Sequence, residues 1–378
     1  MEQAVYITRI AKFLPNEPVQ NDDIELFLGY VNNKPSMTKN VILRSNGITR
    51  RYYALDKDGN ITHTSVRMAA EAIRAMFDDS FRLEDIDLLA YGTASPETIL
   101  PSPGVMLHGE LKGNHFETVS FAGSCCAGVH ALKYAWMSVR CGESQKAVSA
   151  ASERLSAWMH ARYFEKELEI RNELEKNPYL AFEKDFLRWM LSDGAGAMLL
   201  ENKPGPGLNF RIDFIELCSF ANELETCMYA GGEKNSEGGV DGWASFPESE
   251  WLSRSLFSLR QDARMLSKHI IQKGSEFLQE LIVKHQLHPD QIQWVLPHLS
   301  SMFFKKPIQD AYDAIGFHLP EERWFMNLPS VGNVATVSIY LMLEELTRSG
   351  KVRKGDKILC VIPESARFSY AFCLLEAC

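Results

Sequence analysis

The chain has 378 residues, of which 46% are hydrophobic and 24% are charged, and its formal net charge at pH 7 is −9. This length and composition predict a globular protein built from two domains or from two fused halves. The acidic balance gives no broad positive field, which argues against a nucleic-acid-binding protein, and no apolar run is long enough to span a bilayer.

The N-terminus and the cysteines indicate the compartment. Residues 1–18 contain no basic segment followed by an apolar stretch, so we expect no signal peptide. The eight cysteines are scattered apart from the neighbouring pair Cys125 and Cys126, and none has the C-x-x-C spacing of a zinc site. We therefore expect a cytoplasmic protein with reduced thiols and no bound metal.

Two stretches of the chain repeat the same order of elements. In the first, an amphipathic segment at residues 66–77 leads through a polar turn to an apolar run at residues 83–92. In the second, residues 270–284 lead in the same way to residues 287–298. Each stretch predicts a helix, a short turn and then a buried strand rich in Leu and Val.

The continuation of each stretch repeats as well. A predicted helix, at residues 129–140 and again at 334–348, is followed by a glycine turn and a strand, at residues 146–151 and 357–362. Alternating helices and apolar strands predict a buried, mostly parallel sheet covered by helices. Because the order occurs twice and no Pro/Ser/Gly-rich linker intervenes, we predict two similar α/β halves packed as one unit.

One segment interrupts the repeat. Residues 162–191 are dense in Glu, Lys and aromatic residues with apolar residues at helical spacing, which predicts a helical insertion at about residues 160–190. A solvated helical flap and a lid or dimer contact over a tunnel both fit this composition. We assign residues 1–205 to the N-terminal half and residues 206–378 to the C-terminal half.

The first candidate for chemistry lies where a predicted strand gives way to a helix. Residues 120–129, SFAGSCCAGV, place small residues and two cysteines at the helix start. The free N–H groups and the positive dipole end of a helix stabilise a thiolate, which makes a cysteine there a better nucleophile. A buried structural cysteine is the alternative.

Two further candidates lie in the second half. His298 closes a predicted strand, at the end where open α/β sheets bind ligands, although a structural histidine is the alternative. Asn333 follows Gly332 at a helix start, where its amide could meet a carbonyl oxygen or simply cap the helix. The duplicated topology predicts that these junctions meet in one crevice, where a nucleophile would be combined with two neutral hydrogen-bond donors to a thioester carbonyl.

The order of these motifs resembles that of a known family. The matching segments are TASPE (93–97), CAG (126–128), SDGAGA (192–197), VLPH (295–298) and GN (332–333). On these segments, which cover nearly the whole chain, the sequence resembles the ketoacyl synthase III branch of the thiolase superfamily. The resemblance implies an α/β thiolase fold, in which two pseudo-duplicated α/β halves form a layered αβαβα sandwich, and it implies a homodimer.

The resemblance also implies roles for the site residues. The cysteine of the CAG motif is the one acylated in the family, which assigns the nucleophile to Cys126 and leaves Cys125 to line the substrate pocket. The matching His298 and Asn333 activate the second thioester and stabilise its enolate. Gly332 is expected to belong to the substrate-binding wall, and no metal or redox cofactor is expected.

Three departures from the housekeeping members indicate a subfamily. Their glycine-rich C-terminal loop is VIPESARF at residues 361–368, their His-Gly-Asn is Val-Gly-Asn at residues 331–333, and the insertion is larger. With LRSNGI (43–48) and ASER (151–154), these features resemble the ketosynthases that build dialkylresorcinols and bacterial stilbenes. Such enzymes join a β-ketoacyl thioester to an α,β-unsaturated acyl thioester and close a 1,3-cyclohexanedione ring.

Four charged residues complete the predicted site. Glu153 follows a predicted strand and could act as the base for a ring-closing deprotonation or form an ion pair with an arginine. Glu364 follows the equivalent strand and faces the same choice, with a possible place in the substrate-binding wall. Lys305 and Lys306 lie shortly after His298, where the resemblance implies a carrier-protein entrance; a solvated surface pair is the alternative.

We therefore predict an acyltransferase that condenses two acyl thioesters through a cysteine-bound acyl group. The thioesters would arrive on acyl carrier protein or on coenzyme A. One decarboxylative condensation, as in fatty-acid initiation, is the simpler alternative. An acyltransferase that forms no carbon–carbon bond and a non-enzymatic carrier-protein-binding scaffold are the remaining alternatives.

Overall fold

The computed structural model describes residues 3–36, 38–162, 187–254 and 256–378. The strands in these ranges are β1 (Tyr6–Phe13), β2 (Val19–Gln20), β3 (Arg50–Arg51), β4 (Leu88–Thr93), β5 (Glu117–Ala122), β6 (Lys146–Glu153), β7 (Gly194–Glu201), β8 (Phe210–Ser219), β9 (Met228–Tyr229), β10 (Gly232–Lys234), β11 (Val240–Gly242), β12 (Arg260–Gln261), β13 (Ile292–Pro297), β14 (Lys357–Glu364) and β15 (Ser369–Ala377). The α-helices there are α1 (Ile24–Leu28), α2 (Lys39–Asn46), α3 (Ser65–Arg74), α4 (Pro103–Leu111), α5 (Ala127–Cys141), α6 (Ser156–Met159), α7 (Ala263–His285), α8 (Lys305–Ala314), α9 (Leu328–Val331) and α10 (Ser338–Arg348). Within the described ranges, no helix has the length and apolar character needed to cross a membrane.

Nine strands form one large sheet in the order β5-β4-β6-β7-β1-β8-β15-β14-β13. With β5 set aside, the order β4-β6-β7-β1 mirrors β13-β14-β15-β8, and equivalent strands follow each other in the same chain order. The two sets meet where β1 pairs with β8 through Tyr6 opposite Arg211 and Ile7 opposite Phe210. This mirrored order confirms the predicted fold class of two similar α/β halves.

The sheet is mixed, and the prediction of a mostly parallel sheet was wrong. β4 is parallel to β5 and β6, and β13 is parallel to β14, whereas the other five neighbouring pairs are antiparallel. Each parallel pair is connected through helices, as a crossover between parallel strands requires. β14 instead turns into β15 through residues 365–368, so these two strands run antiparallel.

Helices cover both faces of the strands, because successive strand residues point to opposite faces. In β4, Leu89 and Tyr91 pack with Met68 of α3 in an outer core, whereas Leu88 and Ala90 belong to the inner core. On the inner side, α5 packs against β4 and β6, and α10 packs against β1, β7 and β13. The inner helix α10 therefore contacts strands of both halves.

The start of α5 touches the segment before α10 by direct backbone contact. A Cβ atom on Gly128 would lie 2.3 Å from the carbonyl oxygen of Thr336, so no side chain fits there. The hydroxyl of Tyr340 donates to the Gly128 carbonyl at 2.9 Å and contacts the Ser149 hydroxyl at 2.7 Å. This contact brings the cysteine junction of one half beside the Asn333 junction of the other.

Most of the predicted helical insertion at about residues 160–190 lies outside the described residues, which stop at residue 162 and resume at residue 187. The division into residues 1–205 and 206–378 stays a prediction. Of the large sheet, β1 and β4–β7 fall in the first range, and β8 and β13–β15 fall in the second.

Candidate active site

A largely apolar cavity of about 300 Å³ lies at the carboxyl ends of β5, β13 and β14. Its polar wall includes Cys125, His298, Asn333 and Glu364. Its apolar wall includes residues of α7 and α8, among them Leu266, Ile270, Ile308 and Tyr312. A pocket of this size with a few converging polar groups is the usual form of a small-molecule site.

The two neighbouring cysteines face different surroundings. Cys125 lines the cavity and keeps 8% of its surface exposed. Cys126 is fully buried just before α5, and its thiol donates to the carbonyl oxygen of Ile362 at 3.5 Å. The cavity wall therefore includes Cys125 and not Cys126, whose side chain is turned into the protein interior, and the assignment of the nucleophile to Cys126 stays a prediction. The expected place of Cys125 in the pocket wall agrees with the structure.

Burial raises the pKa of both thiols. The pKa of Cys125 rises to about 12, mainly by desolvation and next by the nearby Glu364 carboxylate, and the pKa of Cys126 rises well above its usual value for the same reasons. Desolvation therefore works against the thiolate that a helix start would favour. A nucleophile at this wall needs a proton acceptor at the moment it reacts.

The carboxylate of Glu364 occupies the N-terminal end of α5. Its Oε2 accepts the backbone N–H of Cys126 at 3.0 Å, and the backbone of Ser124 also donates to it. Burial raises the pKa of Glu364, and these two hydrogen bonds oppose the rise. No Lys or Arg of the described ranges forms an ion pair with it. Glu364 thus stays a candidate base and substrate contact in the cavity wall.

Glu153 is fully buried at the end of β6 and does not line the cavity. Its carboxylate accepts the N–H of Ala94 at 2.9 Å and the hydroxyls of Ser95 and Thr336, each at 2.6 Å. In the part of the chain that the structure describes it has no arginine partner, so the ion pair does not form. These donors saturate the carboxylate, and the structure does not bring Glu153 to the site as a base.

His298 follows β13 and is held through one ring nitrogen. Its Nδ1 lies 2.8 Å from the hydroxyl of Ser338, which also lies 3.0 Å from the carbonyl oxygen of Ala335. Burial lowers the pKa of His298 to about 4, so the ring is neutral at pH 7. Its Nε2 has no hydrogen-bond partner among the described residues, and the ring lines the cavity.

Asn333 is oriented by its own backbone turn. Its Oδ1 accepts the N–H of Ala335 at 3.0 Å, and its backbone N–H donates to the carbonyl of Met190 at 2.9 Å. With the oxygen engaged, the two N–H donors of Nδ2 are left for the cavity that Asn333 lines. Asn333 is not the helix N-cap, which is Val334, and its role as an amide donor stays a prediction.

Gly332 is not among the residues that line the main cavity but lines a small neighbouring cavity with His298, and its place in the substrate-binding wall stays a prediction. Its φ is +75°, in the region that favours glycine, and a Cβ atom would lie 2.7 Å from Cβ of Ser192. The glycine lets the chain turn sharply between α9 and Asn333. It contributes to the site through backbone conformation.

Lys305 and Lys306 begin α8, beside Phe304 and Ile308 of the cavity wall. Lys305 forms an ion pair with Glu321, and Lys306 forms one with Asp310. Lys306 keeps 76% of its side-chain surface exposed. Their role at a carrier-protein entrance stays a prediction.

Sequence reasoning missed the residues that hold the reactive groups in place. Ser338 is separated from His298 by 40 residues in the chain, and Thr336 from Glu153 by 183. Their nearness to Asn333 in the sequence was the one available signal. A short polar residue after a site residue is too common to identify a partner by itself.

Comparisons with known proteins agree with this architecture. A family model described as 3-oxoacyl-[acyl-carrier-protein (ACP)] synthase III C terminal matches residues 282–363. The chain is 21% identical over 360 residues to the β-ketoacyl-[acyl-carrier-protein] synthase III of Chlorobaculum tepidum, and the aligned region covers 94% of each of the two chains.

Among solved structures, two superpose with a TM-score of 0.75 and 18% identity. One is AbyA1, a tetronic acid condensing enzyme, aligned over 98% of this chain and 99% of that one. The other is OleA of Xanthomonas campestris with bound lauric acid and lauroyl-CoA, aligned over the whole of both chains. The solved structures show that the chain has the thiolase fold. Its listed sequence relatives are named as β-ketoacyl-[acyl-carrier-protein] synthases III, and this similarity supports an enzyme of the acyltransferase class.

Proposed function

We propose that the protein joins two acyl thioesters by a carbon–carbon bond and carries the first acyl group on Cys125. The observation that supports this most directly is the shared cavity wall, where Cys125 from one half faces the same space as His298 and Asn333 from the other. A nucleophile and two carbonyl-directed side chains in one apolar space form a site for acyl transfer followed by enolate chemistry.

The proposed reaction has two stages. The sulfur of Cys125 attacks the first thioester carbonyl, its proton passes to an acceptor on the cavity wall, and the departing thiol takes a proton. The α-carbon of the second thioester then loses a proton to an acceptor on the cavity wall, or loses carbon dioxide, and the carbonyl oxygen of the resulting enolate accepts hydrogen bonds from His298 and Asn333. The enolate carbon attacks the enzyme-bound acyl group and releases the sulfur of Cys125. This reaction uses no metal or redox cofactor.

The apolar wall supports an acyl chain as the substrate tail. Ile270, Ile308 and Tyr312 bury the part of the cavity away from the polar wall. Apolar burial contributes about 0.8 kcal/mol per CH₂ group, so each added carbon that fits strengthens binding. The OleA structure with bound lauric acid and lauroyl-CoA shows the same fold with a fatty acyl ligand.

The finer proposal is ring formation. A β-ketoacyl thioester would condense with an α,β-unsaturated acyl unit, and an intramolecular addition would close the ring. Water would then hydrolyse the remaining thioester and release the carrier thiol, and the β-keto acid would lose carbon dioxide to leave a 1,3-cyclohexanedione of the dialkylresorcinol type. The carboxylate of Glu364 supports this outcome, because it faces the cavity without a cationic partner and could take the second proton.

A single decarboxylative condensation is the second candidate. The curated relatives favour it, because they are named as β-ketoacyl-[acyl-carrier-protein] synthases III. The product mass separates the two outcomes, since only ring formation consumes both a β-ketoacyl and an unsaturated thioester.

Acyl carrier protein or coenzyme A is proposed as the thioester carrier, with Lys305 and Lys306 near the entrance. A homodimer is proposed from the free edge of the large sheet. β5 ends the sheet among the described strands, and Ile99 and Leu100 nearby expose 77% and 83% of their surfaces. Exposed edges and apolar patches of this kind are commonly covered by a second chain.

The decisive experiment is intact-protein mass spectrometry after incubation with short and long acyl thioesters. We expect an acyl adduct on the wild type and on Cys126→Ala, and none on Cys125→Ala. The opposite pattern would return the nucleophile to Cys126, and no adduct on any form would remove the acyl-enzyme altogether.

The Asn333→Ala variant tests the second stage. We expect it to form the adduct but no condensed product, because the enolate loses one donor. Undiminished product from this variant would indicate acyl transfer without carbon–carbon bond formation. Product masses from a β-ketoacyl and an unsaturated thioester then test ring closure.

A further inference from the structure

Three hydrogen bonds in series connect the two carbonyl-directed side chains of the cavity. The Oδ1 of Asn333 accepts the N–H of Ala335 at 3.0 Å. The carbonyl of Ala335 accepts the hydroxyl of Ser338 at 3.0 Å, and the same hydroxyl oxygen lies 2.8 Å from Nδ1 of His298. One backbone residue therefore anchors Asn333 directly and His298 through Ser338.

Ala335 has the backbone conformation that this double role requires. Its φ is +39°, in the left-handed region that residues other than glycine rarely adopt. Such a conformation persists only where the surrounding contacts hold it, and it is typical of functional sites. Both polar backbone groups of Ala335 are used, one toward each reactive side chain.

The hydroxyl of Ser338 has one proton and two acceptors within reach. If that proton lies on the Ala335 carbonyl, the oxygen of Ser338 can only accept from His298, so Nδ1 must carry the ring proton. If the proton turns to Nδ1, the ring proton must lie on Nε2. The position of this one hydroxyl proton therefore determines whether Nε2 presents a lone pair or an N–H to the cavity.

We propose that Ser338 is a positioning residue that selects the tautomer of His298, and that in the resting enzyme it holds the ring proton on Nδ1. Nε2 then meets the cavity as a proton acceptor. The consequence for catalysis rests on the proposed function, whereas the tautomer itself does not. The neutral state of the buried ring at pH 7 is consistent with this assignment.

The resting tautomer suits the acylation stage. Nε2 takes the proton of the Cys125 thiol, the sulfur forms its bond to the thioester carbonyl, and the carbon–sulfur bond to the carrier breaks. The departing thiolate then takes the proton from Nε2, so the ring ends neutral. While the ring is charged, the oxygen of Ser338 accepts from Nδ1–H and stabilises the cation.

The condensation stage needs the other tautomer. Donation to the second thioester requires the proton on Nε2, and the rotation of the Ser338 hydroxyl toward Nδ1 supports that form. The change moves one proton from Nδ1 to Nε2 and leaves the charge of the ring unchanged. Ser338 can thus support both proton acceptance and proton donation by His298.

A matched control lies just beyond the other end of the same helix. Ser349 follows α10, and its hydroxyl donates to the carbonyl of Leu346 at 2.6 Å, three residues earlier. Ser338 donates to the carbonyl of Ala335 with the same spacing. Ser349→Ala therefore removes an equivalent hydroxyl–carbonyl bond that touches no histidine.

The tautomer is measured on the full chain without substrate, by NMR of the ring nitrogens after ¹⁵N-histidine labelling. His298→Gln identifies the signals of His298. We expect Nδ1 to carry the proton in the wild type, in Ser338→Thr and in Ser349→Ala, and we expect Ser338→Ala to shift the population toward Nε2–H. A wild-type proton on Nε2, or no change in Ser338→Ala, would overturn the inference.

Turnover gives the second readout. We expect Ser338→Ala to lower kcat by about 10- to 100-fold, as loss of one hydrogen bond to a reacting group does, with KM changed by less than about threefold. Ser338→Thr should restore most of kcat, because it keeps the hydroxyl. If the wild type forms no condensed product but shows the Nδ1–H tautomer, the proposed function fails while the tautomer selection stands. Full kcat in Ser338→Ala would overturn the catalytic part of the inference.

Discussion

Each half of the protein ends an equivalent strand on a glutamate, and the two glutamates meet different surroundings. Glu153 closes β6 and accepts one backbone N–H and three hydroxyls, one of them from Thr336 of the other half. Glu364 closes β14, accepts only backbone N–H groups and lines the cavity. Two glutamates at equivalent places in the repeated sheet therefore have different surroundings. Glu153 links the two halves, whereas Glu364 faces the cavity.

The largest expected effect is on stability, from Glu153→Ala. This change leaves the N–H of Ala94 and the hydroxyls of Ser95 and Thr336 buried without their acceptor. We expect the free energy of unfolding to fall by about 3–5 kcal/mol, measured by urea denaturation. Glu153→Gln, which keeps one acceptor oxygen, should lose about half as much. A loss below about 1 kcal/mol would show that Glu153 does not link the halves.

The second effect is on turnover, from Glu364→Gln. If the carboxylate takes a proton from substrate, we expect kcat to fall by about 100-fold, as for loss of a general base. The free energy of unfolding should change by no more than about 1 kcal/mol, because glutamine can still accept from the Cys126 N–H. Full activity combined with a large stability loss would make Glu364 a second structural carboxylate.

A third effect is on the pH dependence of stability. Burial raises the pKa of both Glu153 and Glu364, so between the ordinary carboxyl pKa and the raised pKa the folded state binds a proton that the unfolded state does not. The free energy of unfolding therefore decreases as pH rises through that interval. We expect urea titrations at a series of pH values to show a weaker decrease in Glu364→Gln than in the wild type. An equal decrease would mean that its folded pKa is ordinary.

The carboxylate of Glu364 also predicts that turnover decreases on the acid side of the pH–rate profile. As the base, Glu364 must be ionised, so turnover falls as pH falls through its raised pKa, and Glu364→Gln should lack this limb at its lower rate. Glu153→Gln, whose carboxylate does not face the cavity, serves as the control and should keep the limb.

The smallest expected effect is on KM and comes from the exposed charge of Lys306, in contrast to the buried carboxylates of Glu153 and Glu364. Lys306→Ala removes an exposed ammonium whose ion pair with Asp310 adds little to stability. We expect KM to rise a few-fold for a carrier-protein thioester and to stay unchanged for the coenzyme A thioester, with both measured by steady-state kinetics. Equal KM values for both carriers would place the carrier contact elsewhere.

The sequence was sufficient to predict the duplicated α/β architecture. Helical and strand periodicities repeat over residues 66–92 and 270–298, and each repeat became a helix followed by a strand of the sheet. The strand directions could not be predicted in the same way. Whether two strands run parallel depends on how they are connected, and hydrophobic periodicity does not describe connections. The ends of β13 and β14 nevertheless predicted where His298 and Glu364 would lie.

The motif assigns the nucleophile to Cys126, whereas the cavity wall of the structure includes Cys125. The side chains of adjacent residues at a helix start point in directions about 100° apart, so one can face the cavity while the next faces the protein interior. The hydrogen-bond partners of the two glutamates could not be predicted from the sequence either, because the hydroxyl of Thr336 meets Glu153 only when the two halves pack together. Such contacts depend on tertiary structure.

The bare α-carbon of Gly128 has a consequence for how the reactive groups keep their spacing. A Cβ atom on residue 128 would lie only 2.3 Å from the carbonyl oxygen of Thr336, so the backbone of Gly128 packs directly against the backbone of Thr336. Backbone contact between Gly128 and Thr336 thus sets how closely the cysteine junction approaches the Asn333 junction. Even an added methyl group at Gly128 would push the two similar halves apart where the cysteine junction meets the Asn333 junction.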